Sequence, residues 1–375
     1  MKVDGAWLTQ PGTQSLCDAL RKANFQALFV GGCVRNALLG EPVNDIDIAS
    51  DATPEDVTKL AEHAGFRVIP TGIDHGTVTV IAGSHPHEVT TFRRDIETNG
   101  RHAVVAYSTD IAEDAARRDF TMNALYARPD GTVVDPLGGL PDLLARRVRF
   151  VGNAEDRIRE DYLRILRFFR FFAWYGDRTA GIEPEGLAAC AAHYAGIETL
   201  SRERVGAELR KLLAAPNPSQ AVASMAQAGV LSAALAGSDA RALPILVHLG
   251  EEDWLPRLAV LGGDSDSLRL SRGEMAQLRL IREEVSALRS AAELGYRHGA
   301  VLARSIILCR AALLEMPPPS GWENQISQGS RAVFPIAAAD LMPDLQGKAL
   351  GDALRGMERR WIDSGFRLDK AALLG

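Results

Sequence analysis

Across 375 residues no apolar stretch approaches the roughly 18 residues that a membrane span needs. The opening residues, MKVDGAWLTQPGTQ, lack the apolar core of a signal peptide, so a cytoplasmic protein is expected. Only four cysteines occur (Cys17, Cys33, Cys190, Cys309), scattered and without CxxC spacing. Neither a disulfide framework nor a zinc site is indicated. No His-Asp dipeptide occurs, which excludes a phosphohydrolase domain of that type. Surplus positive charge is also missing. A net charge of −6, with a pI near 5.8, argues against bulk nonspecific nucleic-acid binding but leaves room for a local basic groove.

Such a groove is visible at residues 146–170. Eight arginines (Arg146, Arg147, Arg149, Arg157, Arg159, Arg164, Arg167, Arg170) stand against four acids (Glu155, Asp156, Glu160, Asp161), a local excess of +4. Arginine's planar fork suits phosphates and base edges. The chain is rich in Arg throughout, which explains the preference over Lys more readily than it explains the clustering.

The length, with 46% hydrophobic residues, suits two or more globular domains. Residues 13–23 pattern as an amphipathic helix, 26–31 as a buried strand, 33–39 as a helix and 45–49 as a second strand. Thr53-Pro54-Glu55-Asp56 is a helix start, with the helix running to about His63 and ending at Gly65. Residues 66–69, 76–82 and 86–92 read as strands. Residues 93–110 are polar without clear period and read as a long mobile loop. Asp110 opens a helix, Arg117-Arg118-Asp119 begin an apolar helical stretch, and a hairpin turns at Pro129-Asp130-Gly131. After Asp135-Pro136-Leu137-Gly138-Gly139 strand signals nearly vanish. Helices are expected at 155–175, 184–195, 202–214, 218–227, 230–236, 239–249, 273–293, 296–315 and 348–363, with a break at Pro317-Pro318-Pro319. The fold class is α+β, a mixed-sheet domain followed by helices.

The most informative segment is residues 28–48, LFVGGCVRNALLGEPVNDIDI. An apolar run stops at Gly31-Gly32, where backbone N–H groups can approach a phosphate closely. Asp45 and Asp47 then stand one residue apart. On a strand they share a face while Ile46 and Ile48 take the other. Paired carboxylates suit hard cations such as Mg²⁺, which are shared with phosphates. A lone DxD is weak, but beside the glycine pair it points to metal-assisted chemistry on a nucleotide. Glu88, on a neighbouring strand, is either a third carboxylate or a strand-face acid paired with an Arg. Asp161 and Arg164, three apart on one helix, are either an intrahelical ion pair or a base reader. His85 and His87 form an HxH pair without a further ligand and read as loop residues.

These segments resemble the class II tRNA nucleotidyltransferase/poly(A) polymerase family. GGCVRNALLG…DID (31–47) is similar to its catalytic motif, RRDFTMNAL (117–125) to its ribose-recognition motif, and DPLGG (135–139) to its head–neck hinge. EDYLR (160–164), continued by Arg167 and Arg170, resembles the nucleotide-reading motif, and SRERVGAEL (201–209) the helix-stabilising motif after it. The likeness covers about residues 25–215, and the segment from AVFPIAAADLM to ERRWIDSGF resembles the family's tail loosely.

The resemblance implies a small polymerase-beta-like nucleotidyltransferase head (1–145), a helical neck that recognises the base (146–215), an RNA-binding body (216–316) and a tRNA-binding tail (317–375). It implies Asp45 and Asp47 as ligands of two Mg²⁺ ions; Glu88, from its own strand position, is the candidate third member of the catalytic set. Gly32 and Arg35 would lie near the triphosphate and Arg118 near sugar or phosphate, with Gly31, Asp119 and Asn123 among the nucleotide-binding residues. Asp161 and Arg164, continued by Arg167 and Arg170, would read the base of CTP or ATP without a nucleic-acid template. The implied activity is CCA addition to the 3′ end of tRNA, with no membrane and no obligate protein partner. A poly(A) polymerase or a CC- or A-adding enzyme would share these motifs, and an inactive RNA-binding module is the alternative of a different class. The family often has Asp after VR where this chain has Asn36, to which the resemblance assigns no role.

Overall fold

The structure, a computed structural model, describes every residue except 71, 74, 75, 100 and 101, and no side chain between 95 and 105. The chain divides into two compact units, Met1–Ala236 and Gly237–Gly375.

The first unit opens with α1 (Ala6–Thr9) and α2 (Pro11–Lys22), the latter burying Leu16, Cys17 and Leu20 along one face. Seven strands follow in a mixed sheet: β1 (Leu28–Val30), β2 (Ile46–Ser50), β3 (Arg67–Ile69), β4 (Thr77–Ala82), β5 (His85–Thr91), β8 (Tyr126–Ala127) and β9 (Val133–Val134). Their order is β3-β4-β5-β2-β1-β8-β9, with β6 (Arg93–Asn99) and β7 (His102–Tyr107) as a separate pair. Every pairing is antiparallel except β2 with β5, where Asp47 lies opposite Glu88.

Helix α3 (Gly32–Leu39) starts directly after β1, and α4 (Pro54–His63) begins as its sequence specifies. Thr53 Oγ1 accepts from the Asp56 N–H at 3.2 Å, satisfying one of the helix's unpaired donors. Leu28, Val30, Ala49, Phe92, Ala124 and Tyr126 form a core around the interior strand β1.

Four expectations are corrected. Within the expected 93–110 loop, Arg93–Asn99 and His102–Tyr107 are instead strands, paired as the β6–β7 ribbon. A two-stranded ribbon satisfies its backbone by pairing alone, so its polar sequence carries no core-facing period. Residues 117–125 are not a helix. Helix α5 (Ile111–Ala116) ends before them, Phe120 bridges to Phe150, and a single 3₁₀ turn at Thr121–Asn123 leads into β8. Phe120, Met122, Ala124 and Leu125 are all fully buried, so the apolar run has no single wet face to reveal its period.

Residues 155–175 are two helices, α7 (Ala154–Glu160) and α8 (Leu163–Tyr175), after the short α6 (Leu140–Leu144). Asp161 breaks them with an extended backbone (φ −156°, ψ 105°) while its Oδ1 accepts from the Leu163 N–H at 3.1 Å. His85 and His87 lie on β5 rather than in a loop. His87 is buried, with Nε2 bonded to Thr13 Oγ1 at 2.8 Å.

Helices α9 (Pro184–His193), α10 (Arg202–Leu213), α11 (Ser219–Gln227) and α12 (Val230–Ala234) complete the first unit. The second contains α13 (Ala242–His248), α14 (Trp254–Leu261), α15 (Arg272–Ala287), α16 (Ala291–Leu314), α17 (Trp322–Arg331), α18 (Gly347–Asp363) and α19 (Lys370–Leu374). The expected 273–293 and 296–315 pair divides earlier, at Leu288 (φ 53°), where Ser290 caps the next helix. Helix α14 carries no amphipathic signal because Leu255 through Leu261 are all buried. No helix among the described residues is long and apolar enough to cross a membrane.

Candidate active site

Strand β2 presents Asp47 on the face opposite the buried Ile46 and Ile48, and Asp45 immediately precedes the strand. The parallel partner β5 sets Glu88, distant in sequence, beside Asp47. Burial first, then the charges of Glu88 and Asp45, raise the Asp47 carboxyl from 3.8 to about 6, while Arg118 and Arg35 oppose the rise. Glu88 forms no ion pair among the described residues, so the Arg-paired alternative does not hold.

Among the described residues no three His, Cys, Asp or Glu side chains form a closed metal cluster. A hard cation such as Mg²⁺ is commonly bound by only one or two carboxylates, with water and substrate phosphates completing its shell. Like charges crowded around a half-buried carboxyl are the electrostatic situation that a bound divalent cation relieves.

Gly31 turns the chain from β1 into α3 with φ 70° and ψ −120°, a conformation costly for any residue with a Cβ. Two guanidinium groups flank the turn. A Cβ on Gly31 would stand 3.5 Å from Arg118 Nη1, and one on Gly32 would stand 3.8 Å from Arg35 Nη2. Arg118 is aimed by Asp114 (3.0 Å) and Tyr126 (3.1 Å), and Asp114 is itself buried and also bonded by Arg117 and Tyr126. Burial alone would raise the Asp114 carboxyl, but Arg118 and Arg117 hold it below its ordinary value.

Arg35 is almost fully buried and donates to Asn36 Oδ1, to Asn123 Oδ1 at 2.5 Å and to the Tyr175 hydroxyl at 2.9 Å. Its charge also lies over the Tyr175 ring, 4.1 Å from the centroid. Asn123 Nδ2 donates to Asp119 Oδ1 at 2.9 Å, and Asp119 Oδ2 accepts from Arg167 Nε at 2.8 Å. The network therefore runs from α3 through the 117–125 segment to α8. Phe120, Phe150, Phe168 and Phe171 pack beneath it, with Phe150 and Phe168 stacked at 5.3 Å. Burial would raise the Asp119 carboxyl, yet the Arg167 charge and the Asn123 bond hold it below its ordinary value.

The expected Asp161–Arg164 ion pair is absent. Asp161 Oδ2 instead accepts from Arg204 at 2.6 Å, and Arg164 donates to Glu160 and to the Arg157 carbonyl. The break at Asp161 removes the i,i+3 helical relation on which the pairing depends. Arg170 bonds Glu208 at 2.6 Å. Arg204 and Glu208, four apart on α10, thus hold Asp161 and Arg170. Their spacing in RERVGAEL was the available signal. Tyr175, the last residue of α8, had no sequence signal at all. A cavity of about 1080 Å³ takes in Thr121, Leu137, Arg149, Asn153 and Arg157 but none of Asp45, Asp47, Asp161 or Arg164.

Comparison with known proteins bears on the same residues. Residues 27–149 match the poly A polymerase head domain, and residues 181–238 match the probable RNA and SrmB-binding site of polymerase A. The mitochondrial CCA tRNA nucleotidyltransferase 1 of Mus musculus is 31% identical over 97% of this chain and 89% of its own length. The Homo sapiens protein of that name is 43% identical, over 54% of this chain and 47% of its own. A CCA-adding enzyme of Geobacillus stearothermophilus is 35% identical over 82% of this chain and 71% of that one. The crystal structure of a Bacillus stearothermophilus CCA-adding enzyme in complex with CTP superposes with a TM-score of 0.72 at 26% identity, over 95% of this chain and 94% of that one. With the head-domain motifs in place and a relative aligned along nearly its whole length, this chain belongs to the CCA tRNA nucleotidyltransferase family, within the group that shares the poly(A) polymerase head.

Proposed function

We propose that this protein adds C, C and A to the 3′ end of tRNA, using CTP and ATP and releasing pyrophosphate without a nucleic-acid template. The observation that carries the reading is the meeting of Asp45, Asp47 and Glu88 in front of the Gly31–Gly32 turn and its two arginines. That arrangement supports a cation-binding edge next to a phosphate-binding one. Relatives named for CCA addition, and one solved with CTP, support the choice of substrate.

Asp45 and Asp47 would hold two Mg²⁺ ions, which lower the pKa of the attacking 3′-hydroxyl and stabilise the leaving pyrophosphate. Glu88 adds a third negative group to that edge. The Gly31 and Gly32 backbone, with Arg35 and Arg118, receives the triphosphate. Asp119 and Asn123 face sugar or phosphate, held from α8 by Arg167. Asp161 and Arg164 read the base, Asp161 accepting from an exocyclic amine and Arg164 donating to ring nitrogens or carbonyls. Arg167 and Arg170 extend that reading surface while anchoring it to Asp119 and Glu208.

The working division is a catalytic head (1–145), a base-reading neck (146–215), an RNA-binding body (216–316) and a tRNA-binding tail (317–375), in a cytoplasmic enzyme. The DPLGG hinge and the β6–β7 ribbon are the parts proposed to move between C and A addition. The test is to incubate the purified chain with tRNA lacking its terminal CCA, Mg²⁺ and one or both nucleotides, and to size the product. Three additions support the reading. A long tail selects a poly(A) polymerase, a partial end selects a CC- or A-adding enzyme, and no extension selects an RNA-binding module.

A further inference from the structure

We propose that Asn36 is a positioning residue for the triphosphate: a neutral acceptor that aims Arg35 and ties the glycine helix to the loop entering Asp45. The inference rests on the functional reading above. Asn36 Oδ1 accepts twice from Arg35, from Nε at 3.2 Å and from Nη2 at 2.9 Å. Its Nδ2 donates to the Pro42 carbonyl at 2.8 Å. Pro42 lies three residues before Asp45, on the segment between α3 and β2. One side chain thus fixes both the cation beside Gly32 and the entry to the carboxylate strand.

The amide leaves Arg35 in a different electrostatic setting from the Asp that the family often has here. With Asn36, Asn123 and the Tyr175 hydroxyl as acceptors, most of the Arg35 fork is committed to protein. What Arg35 offers a nucleotide is chiefly its charge. All three partners are neutral at pH 7, so none of them cancels that charge. An aspartate at 36 would accept the same two bonds but neutralise Arg35 at contact distance. It would also set a carboxylate oxygen against the Pro42 carbonyl, where the amide now donates. Asn36 therefore keeps Arg35 oriented and uncompensated next to the Gly31–Gly32 turn.

The experiment compares the full-length wild type with Asn36→Asp and Asn36→Gln, using tRNA lacking its CCA end. KM and kcat are measured for CTP and for ATP, and calorimetry follows CTP binding without turnover. Asn36→Asp is expected to raise KM for both nucleotides in parallel by about tenfold, with kcat within about threefold and CTP binding weakened by the same factor. Asn36→Gln, which keeps a neutral amide, is expected to hold KM within about threefold even if the longer side chain lowers kcat. An Asn36→Asp enzyme with unchanged KM and CTP affinity overturns the proposal. So does a fall in kcat alone, or an equal KM increase in both variants. If the wild type binds CTP but adds nothing to tRNA, the functional reading fails, and the calorimetric comparison still decides the role of Asn36.

Discussion

Replacing Asp47 by Asn should stabilise the metal-free protein while abolishing nucleotide transfer. The folded chain raises this carboxyl from 3.8 to about 6, through burial and then the charges of Glu88 and Asp45. Between those values the folded state holds a proton that the unfolded state has released, so stability falls as pH rises through that window. Above it the whole penalty is present. At 1.36 kcal/mol per pH unit the ceiling is about 3 kcal/mol. An amide has no charge to bury, so most of this is recovered. For a unit of this size the gain corresponds to a melting temperature at least about 3 °C higher at pH 8. The assay is thermal unfolding of both proteins in chelator from pH 4 to pH 8. The curves should converge near pH 4 and separate above pH 6. Added Mg²⁺ should narrow the gap by stabilising the wild type, because a cation that binds only the folded state shifts the equilibrium toward it. An Asn variant melting below the wild type at pH 8, or a gap that does not depend on pH, refutes the crowded-carboxylate account of the site.

Asp161→Ala should blur discrimination between CTP or ATP and the other nucleotides in single-nucleotide extension assays; selection that stays sharp removes the base-reading role. Gly139→Ala should destabilise the first unit by about 1–3 kcal/mol in denaturant melts, because its Cβ would stand 2.4 Å from the Thr121 carbonyl oxygen. A neutral result would mean the hinge shifts freely. Asp114→Asn should cost about 3–5 kcal/mol, since it leaves Arg118 and Arg117 without the carboxylate that aims them. Asp114 contributes its stability above its ordinary pKa and loses it as pH falls, so the deficit should shrink in acid unfolding curves below about pH 4.

Local signals in the sequence determined a good deal. The alternation of Asp45-Ile46-Asp47-Ile48 put Asp47 on the face opposite the buried isoleucines, the glycine pair marked the turn into α3, and the Thr53-Pro54 start of α4 needed only its own residues. These features are short-range, because side-chain periodicity and capping act within one turn or one strand. Relations between distant segments were decided by tertiary structure alone. Glu88 meets Asp47 because β2 and β5 run parallel, a pairing that the strand patterns do not specify. Asp161 pairs with Arg204 rather than Arg164 because its own side chain caps α8 and breaks the helix that the arginine spacing suggested. Tyr175 became a partner of Arg35 only when α8 packed against the glycine turn. The sequence by itself named the ionisable groups and, for short elements such as β2 and α4, the face or end they occupy. Which charge meets which depends on packing across about 140 residues of chain, where burial and hydrogen-bond competition outweigh local spacing.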